Sequence, residues 1–165
     1  MKPSHAIPAA QFLFCLLMLV ASLYFEYFVK LTPCALCIVQ RIIVMFLLSI
    51  SFANWLLREN LKARLYFIVL GISGCLIGIS LALRHVWMQF HPELFSGATC
   101  LPNISYMLKM FSVVDTITAI IKHGGADCAQ VQWALLGVSM PGWLFLGYVI
   151  LLTTYVYSAI CSRNN

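Results

Sequence analysis

Four long apolar runs divide the chain, at about 9–28, 38–57, 65–83 and 142–160, each close to the ~20 residues a helix needs to cross the hydrocarbon core of a bilayer. A short polar turn, Arg58-Glu59-Asn60-Leu61-Lys62-Ala63-Arg64, separates the second run from the third. The other two connections are about 29–37 and about 84–141, which leaves one short and one long loop on the opposite side. Within the long loop the stretch 104–122 is apolar enough to suggest a fifth span. Lys109 and Asp115 would then lie inside it, each at about 2.5–3.5 kcal/mol near the bilayer centre. Met107, Met110, Phe111, Val114, Ile117 and Ile121 recur at helical spacing with the polar residues elsewhere on the wheel. That pattern predicts an amphipathic helix lying on the membrane surface, or one packed on the loop itself. The expectation is an all-α membrane protein: one domain over 1–165, a four-helix transmembrane bundle, and an additional amphipathic interfacial helix in the second outer loop.

Composition agrees with the pattern. Hydrophobic residues make up 62% and charged residues 9% of the 165, against about 25% charged in a soluble domain, so the chain lacks the polar surface to face water. No linker, repeat or low-complexity tract marks a second domain. The net charge of +5 does not indicate nucleic acid, because the Lys and Arg residues are scattered and mostly flank apolar runs. They read instead as topology signals. The 58–64 turn with three positive charges, Lys2 and Arg163 outweigh Lys30, Arg84, Lys109 and Lys122, which are spread over two loops. The excess predicts both termini in the cytoplasm and the 29–37 and 84–141 loops outside. A cleaved signal peptide ending near Val20-Ala21-Ser22 fits less well, since the first run exceeds the about 7–15 residues of a secretory apolar region and continues past that site. Glu26, near the outer end of the first run, has no role that the sequence assigns.

Candidate chemistry centres on Pro33-Cys34-Ala35-Leu36-Cys37-Ile38-Val39-Gln40-Arg41. A proline before the first cysteine and an apolar run after the second place both sulfurs in the first turn of a helix, with Cys34 near the N-cap. Unpaired N–H groups and the positive end of the helix dipole there favour thiolate over thiol. Arg41 lies one turn beyond Cys37 on the same face. An arginine at that depth needs an anionic or polar partner, or it snorkels to the headgroups. Of the seven cysteines, the topology puts Cys34, Cys37, Cys100 and Cys128 outside, where disulfides are permitted. Cys15, Cys75 and Cys161 read as small apolar residues of the spans. Four outside cysteines allow three connectivities, of which position suggests Cys34–Cys37 with Cys100–Cys128.

Several motifs together resemble the DsbB family, quinone-dependent disulfide-generating proteins of the bacterial inner membrane. They are the Pro33–Ile38 segment with Gln40-Arg41, Arg84-His85 ahead of Met88-Gln89, Ala98-Thr99-Cys100, Asp127-Cys128-Ala129, Gln132-Trp133, Leu136-Gly137 and Met140-Pro141-Gly142-Trp143. The resemblance covers nearly the whole chain, although the segment between Cys100 and Cys128 follows it in character more than in identity. It implies a membrane oxidoreductase that reoxidises a periplasmic DsbA-like, thioredoxin-fold thiol oxidase and passes the electrons to ubiquinone or menaquinone. It also implies two redox disulfides: Cys34–Cys37 next to quinone, and Cys100–Cys128, with Cys100 attacked by the partner. Arg41 and His85 are then the cofactor-binding candidates: the Arg41 charge stabilises a Cys37 thiolate or a reduced quinone oxygen, and His85, at the end of the third span, donates a hydrogen bond to a quinone carbonyl.

Plainer roles stand beside these. Arg84 and His85 suit a cationic C-terminal helix turn, while His5, His91 and His123 read as tail or loop residues. Trp133 and Trp143 suit an aromatic belt, and Pro141 a first helical turn. Two other functions use the same cysteines. One is a zinc protein with Cys34, Cys37, Cys100 and Cys128 as tetrahedral ligands, which the single C-x-x-C and the oxidising side disfavour. The other is a structural membrane protein whose outer loops are merely braced. A vitamin K epoxide reductase type of protein shares the chemistry but not the flanking motifs.

Overall fold

The structure, a computed structural model, describes residues 3–57, 60–94 and 126–163, together with positions 112, 115 and 118. Cys100 lies outside the described residues, as does nearly all of the expected 104–122 helix. Four helices, each long and apolar enough to cross a membrane, form the bundle. They are α1 (Pro3–Tyr27), α2 (Ala35–Leu56), α3 (Leu61–Phe90) and the last helix, α5 (Met140–Arg163). A single turn, α4 (Ala126–Ala129), and a two-stranded hairpin, β1 (Ala134–Leu135) and β2 (Val138–Ser139), precede α5. Contacts of α1 with α2, α2 with α3, α3 with α5 and α5 with α1 close the ring.

Local sequence sets the ends. Cys34 is the N-cap of α2, with extended backbone after Pro33. Asn60 caps α3 by accepting from the backbone N–H groups of Lys62 and Ala63 at 3.2 and 3.4 Å, as a short side-chain acceptor does for the orphan donors of a first turn. At 30 residues, α3 is about 45 Å long, well beyond the ~30 Å hydrocarbon core. It ends only where Pro92 follows the C-cap His91. Arg84 and His85 therefore lie inside the helix rather than in its last turn. The expectation of a helix ending near 83 and a cationic C-terminal turn is corrected on this point.

Small residues let α3 approach its neighbours, the usual device where lipid removes a hydrophobic drive between helices. A Cβ on Gly71 would stand 2.4 Å from the Tyr155 ring, one on Gly78 2.7 Å from the Tyr148 ring, and one on Gly74 2.9 Å from Leu47. Buried hydroxyls cross-link the same layers. Tyr148 donates to the Gln40 carbonyl at 2.9 Å. Ser51 gives its proton to the Leu47 carbonyl at 2.8 Å, so Tyr155 is the donor in its 2.7 Å bond with Ser51. Gln11 donates to Thr154 at 3.2 Å. Cys15 and Cys75 are buried in this core as small apolar residues, while Leu13, Leu17, Ile42 and Val69 face outward.

The hairpin turn is Leu136-Gly137, with φ of 55° and 78°. Positive φ at both central residues matches the twist of the flanking strands. Trp143 at the start of α5 donates from Nε1 to the Leu135 carbonyl at 3.3 Å, and the Trp133 ring packs on Phe25 of α1 at 4.5 Å. The hairpin is thereby fixed over the end of the bundle that holds Cys34.

Candidate functional site

Cys34 and Cys37 occupy the first turn of α2, and both are thiols in this structure. Cys34 Sγ donates to Cys37 Sγ at 3.0 Å, about 1 Å beyond disulfide bond length. From α3, His85 places Nε2 3.7 Å from Cys34 Sγ. From α4, Cys128 hydrogen-bonds the Cys34 side chain. Leu36 and Met88, fully buried, close the cluster on its inner side. The expected N-cap thiolate is corrected at Cys34. Its hydrogen bond with Cys128 favours the thiolate, but the hydrogen bond to Cys37 and burial outweigh it and push the Cys34 thiol up to about 12. Cys37 is the sulfur that accepts, and so the electron-rich one of the pair.

Arg41 is one turn deeper. Its Nε donates to Ser22 Oγ at 3.1 Å, and Nη1 forms a charge-assisted hydrogen bond to Glu26 Oε2, both partners on α1. This is the anionic partner that the depth of Arg41 requires, and it gives Glu26 a place the sequence reading did not. A signal existed. Glu26 lies eight residues before Cys34 and Arg41 seven after it, so two antiparallel helices joined by a short loop bring them to one level.

These residues face a cavity of about 380 Å³ whose walls are mostly apolar, with Cys37, Arg41, Glu26, His85, Gln89 and Trp143 among its lining. The size falls in the range of small-molecule sites, about 300–1,000 Å³, and so does the character: apolar walls carrying a few convergent polar groups. Cys34, Cys37, Arg41, His85 and Cys128 thus come together from α2, α3 and α4, while Cys100 lies outside the described residues. Cys161 is far along α5 and only partly buried. His91 is at the surface beside Glu93. Chemically, the arrangement gathers the Cys128, Cys34 and Cys37 sulfurs beside a mostly apolar cavity that Cys34 and Cys37 both line and that has the Arg41 cation in its wall.

Comparison with known proteins identifies the family. The family profile described as "Disulfide bond formation protein DsbB" matches residues 4–158. A protein named Disulfide bond formation protein B from Methylococcus capsulatus is 37% identical over 139 residues, covering 84% of this chain and 83% of that one. Its namesake from Nitrosococcus oceani is 34% identical over 140 residues, covering 85% and 82%. Disulfide bond formation protein B 1 of Pseudomonas aeruginosa is 36% identical over 138 residues, covering 84% and 83%. A match of this extent, on a bundle of four helices long and apolar enough to span a membrane, means that the chain belongs to the DsbB family.

Proposed function

We propose that this membrane disulfide-generating oxidoreductase reoxidises a periplasmic, DsbA-like thioredoxin-fold dithiol and delivers the electrons to membrane quinone, ubiquinone or menaquinone. The observation that carries the reading is the cluster of the Cys128, Cys34 and Cys37 sulfurs beside the Arg41 cavity. Zinc as a structural centre on Cys34, Cys37, Cys100 and Cys128 is not favoured, given the family. The positive-charge excess of the 58–64 turn supports termini in the cytoplasm and redox cysteines in the periplasm.

In this reading the resting protein holds two disulfides, Cys34–Cys37 and Cys100–Cys128. A thiolate of the partner attacks Cys100, forming a mixed disulfide and releasing the Cys128 thiolate. Cys128, already beside Cys34, attacks Cys34 Sγ; the Cys34–Cys37 bond breaks, a Cys34–Cys128 bond forms, and Cys37 leaves as thiolate. The partner's second thiol resolves the mixed disulfide, which frees Cys100 to attack Cys128 and return Cys34 as a thiol. Two electrons and two protons have then passed from the partner to Cys34 and Cys37, with thiolate as attacker and leaving group at each exchange. The high pKa of Cys34 makes it the proton-holding member of the reduced pair.

The cavity fits a quinone: apolar walls for a flat ring, with Arg41 and His85 as polar groups for its oxygens. Bound there, a quinone supplies a two-electron, two-proton acceptor. Arg41, held by Ser22 and Glu26, fixes a positive charge at that wall, and His85 bridges the wall to Cys34. The test is anaerobic turnover of purified protein with a reduced DsbA-like dithiol and soluble quinone analogues, following quinone absorbance. Quinone loss that requires both Cys37 and Cys100, removed as Cys37→Ser and Cys100→Ser, supports the reading. Failure of the folded wild type with both ubiquinone and menaquinone analogues overturns it.

A further inference from the structure

The reduced site has the donor set of a soft-metal centre. Cys34 Sγ, Cys37 Sγ and His85 Nε2 lie within 4.8 Å of one another. A tetrahedral zinc ion with sulfur at about 2.3 Å and nitrogen at about 2.0–2.1 Å sets S···S near about 3.8 Å and S···N near about 3.6 Å. The Cys34–His85 separation of 3.7 Å already matches. The two sulfurs, at 3.0 Å, need to open by about 0.8 Å to reach the tetrahedral value, a change within the reach of side-chain rotation. Cys128 hydrogen-bonds Cys34 but lies outside the 4.8 Å set, which leaves the fourth place of a tetrahedral ion to water. Three donors from two helices form the chelate, buried except at Cys37. Thiolate and imidazole donors select zinc or copper(I) over magnesium or calcium.

We propose that the electron-loaded form of this protein binds a thiophilic cation, Zn²⁺ in the first instance, through Cys34, Cys37 and His85, and that occupancy holds the site reduced. This rests on the reading of Cys34–Cys37 as the electron-delivering pair and adds a regulation of that same site. The exchange balances in protons alone. Each zinc displaces one proton from Cys34 and one from Cys37; no electron moves. The oxidised form is excluded, because a Cys34–Cys37 disulfide leaves neither sulfur able to act as a thiolate ligand. Affinity for the metal is therefore confined to the interval between arrival of electrons from the dithiol and their removal. Lack of an acceptor lengthens that interval, so metal sensitivity rises as oxidised quinone falls.

The experiment uses full-length protein in lipid nanodiscs, reduced and then freed of reductant under anaerobic conditions, and titrated with Co²⁺ as a spectroscopic stand-in for Zn²⁺. The expected result is one Co²⁺ per chain, with the visible bands of a tetrahedral site and a near-ultraviolet sulfur-to-cobalt band. Direct loading with Zn²⁺ releases two protons per ion, and Zn²⁺ added after Co²⁺ bleaches these bands. Reoxidising the same sample abolishes binding and reducing it again restores binding, a control that needs no variant. His85→Ala weakens binding by more than the roughly 100-fold that losing an outer partner of a ligand can cost; Cys15→Ala and Cys75→Ala leave it unchanged. Octahedral, weak Co²⁺ spectra from the reduced wild type, or equal binding before and after oxidation, overturn the proposal. Quinone turnover without metal binding discards this inference and keeps the oxidoreductase mechanism, whereas redox-dependent binding without turnover does the reverse.

Discussion

The ion pair between Glu26 and Arg41 predicts a measurable coupling between α1 and α2 at the cavity wall. Exposed pairs contribute about 0–1 kcal/mol, while removing one partner of a fully buried pair costs about 3–5 kcal/mol. Arg41 and Glu26 side chains are 17% and 26% exposed, nearer the buried limit, and Ser22 keeps a bond to Arg41 Nε after Glu26 is lost. A coupling of about 2 kcal/mol follows from the ~1.5–3 kcal/mol of a hydrogen bond to a charged group. That is a factor of about 30 in an equilibrium constant. Glu26→Ala, Arg41→Ala and the double variant, unfolded by SDS in mixed micelles, provide the cycle. Glu26→Gln, which keeps an acceptor oxygen, should recover part of the loss. Singles whose effects simply add, with a coupling below about 0.5 kcal/mol, would show that the two side chains do not act as a unit, and the assignment of Glu26 as the group that positions Arg41 would fall. In turnover assays the same variants should raise the KM for quinone, Glu26→Ala more than Glu26→Gln.

Three further outcomes are expected. Gly78→Ala drives a methyl into the Tyr148 ring at 2.7 Å, an overpacking worth about 1–3 kcal/mol; an unchanged Tm in detergent would contradict the close α3–α5 approach. Tyr155→Phe removes only the bond to Ser51, about 0.6 kcal/mol by the average of such bonds in membranes, so its Tm should fall much less than that of Gly78→Ala. Cys34, with its thiol pushed up to about 12, should resist alkylation in the reduced protein at pH 8 and gain reactivity only toward pH 11–12. Since the folded value lies above the roughly 8.5 of an unfolded thiol, this group stabilises the reduced fold below that pH, and the contribution is lost as pH rises toward 12. Mass-spectrometric mapping that finds Cys34 labelled first at pH 8 would refute it.

The bundle was legible because span length and the periodicity of polar breaks are one-dimensional signals. Helix ends were less so. The third apolar run ends near 83, where Arg84 and His85 look like a boundary, whereas His85 turns inward to sulfur and the helix continues to Phe90. The C-x-x-C and Arg41 announced themselves by residue type and spacing. Glu26 did not, since its partner lies on another helix and emerges only when the two are folded back at equal depth. The sign of the Cys34 effect was also beyond the sequence: the N-cap argues for a thiolate, and the neighbours that reverse it come from Cys37 and from burial beneath α3 and α4. The Leu136-Gly137 hairpin had a local signal, a two-residue turn ending in glycine, hidden by its brevity and by a leucine at positive φ.

Cys128 stands on a helix of four residues. One turn has no helical stability of its own, because nucleation is unfavourable and there is no length over which to recover it. Its place therefore depends on what Cys128 and Ala129 bury against α3 and the Cys34 cluster. In the proposed relay this sulfur is thus also the fastener of its own turn, and a change in its bonding alters its anchorage. Under that reading redox state is a latch on α4, and residues that bury this turn without touching a sulfur tune how firmly it holds.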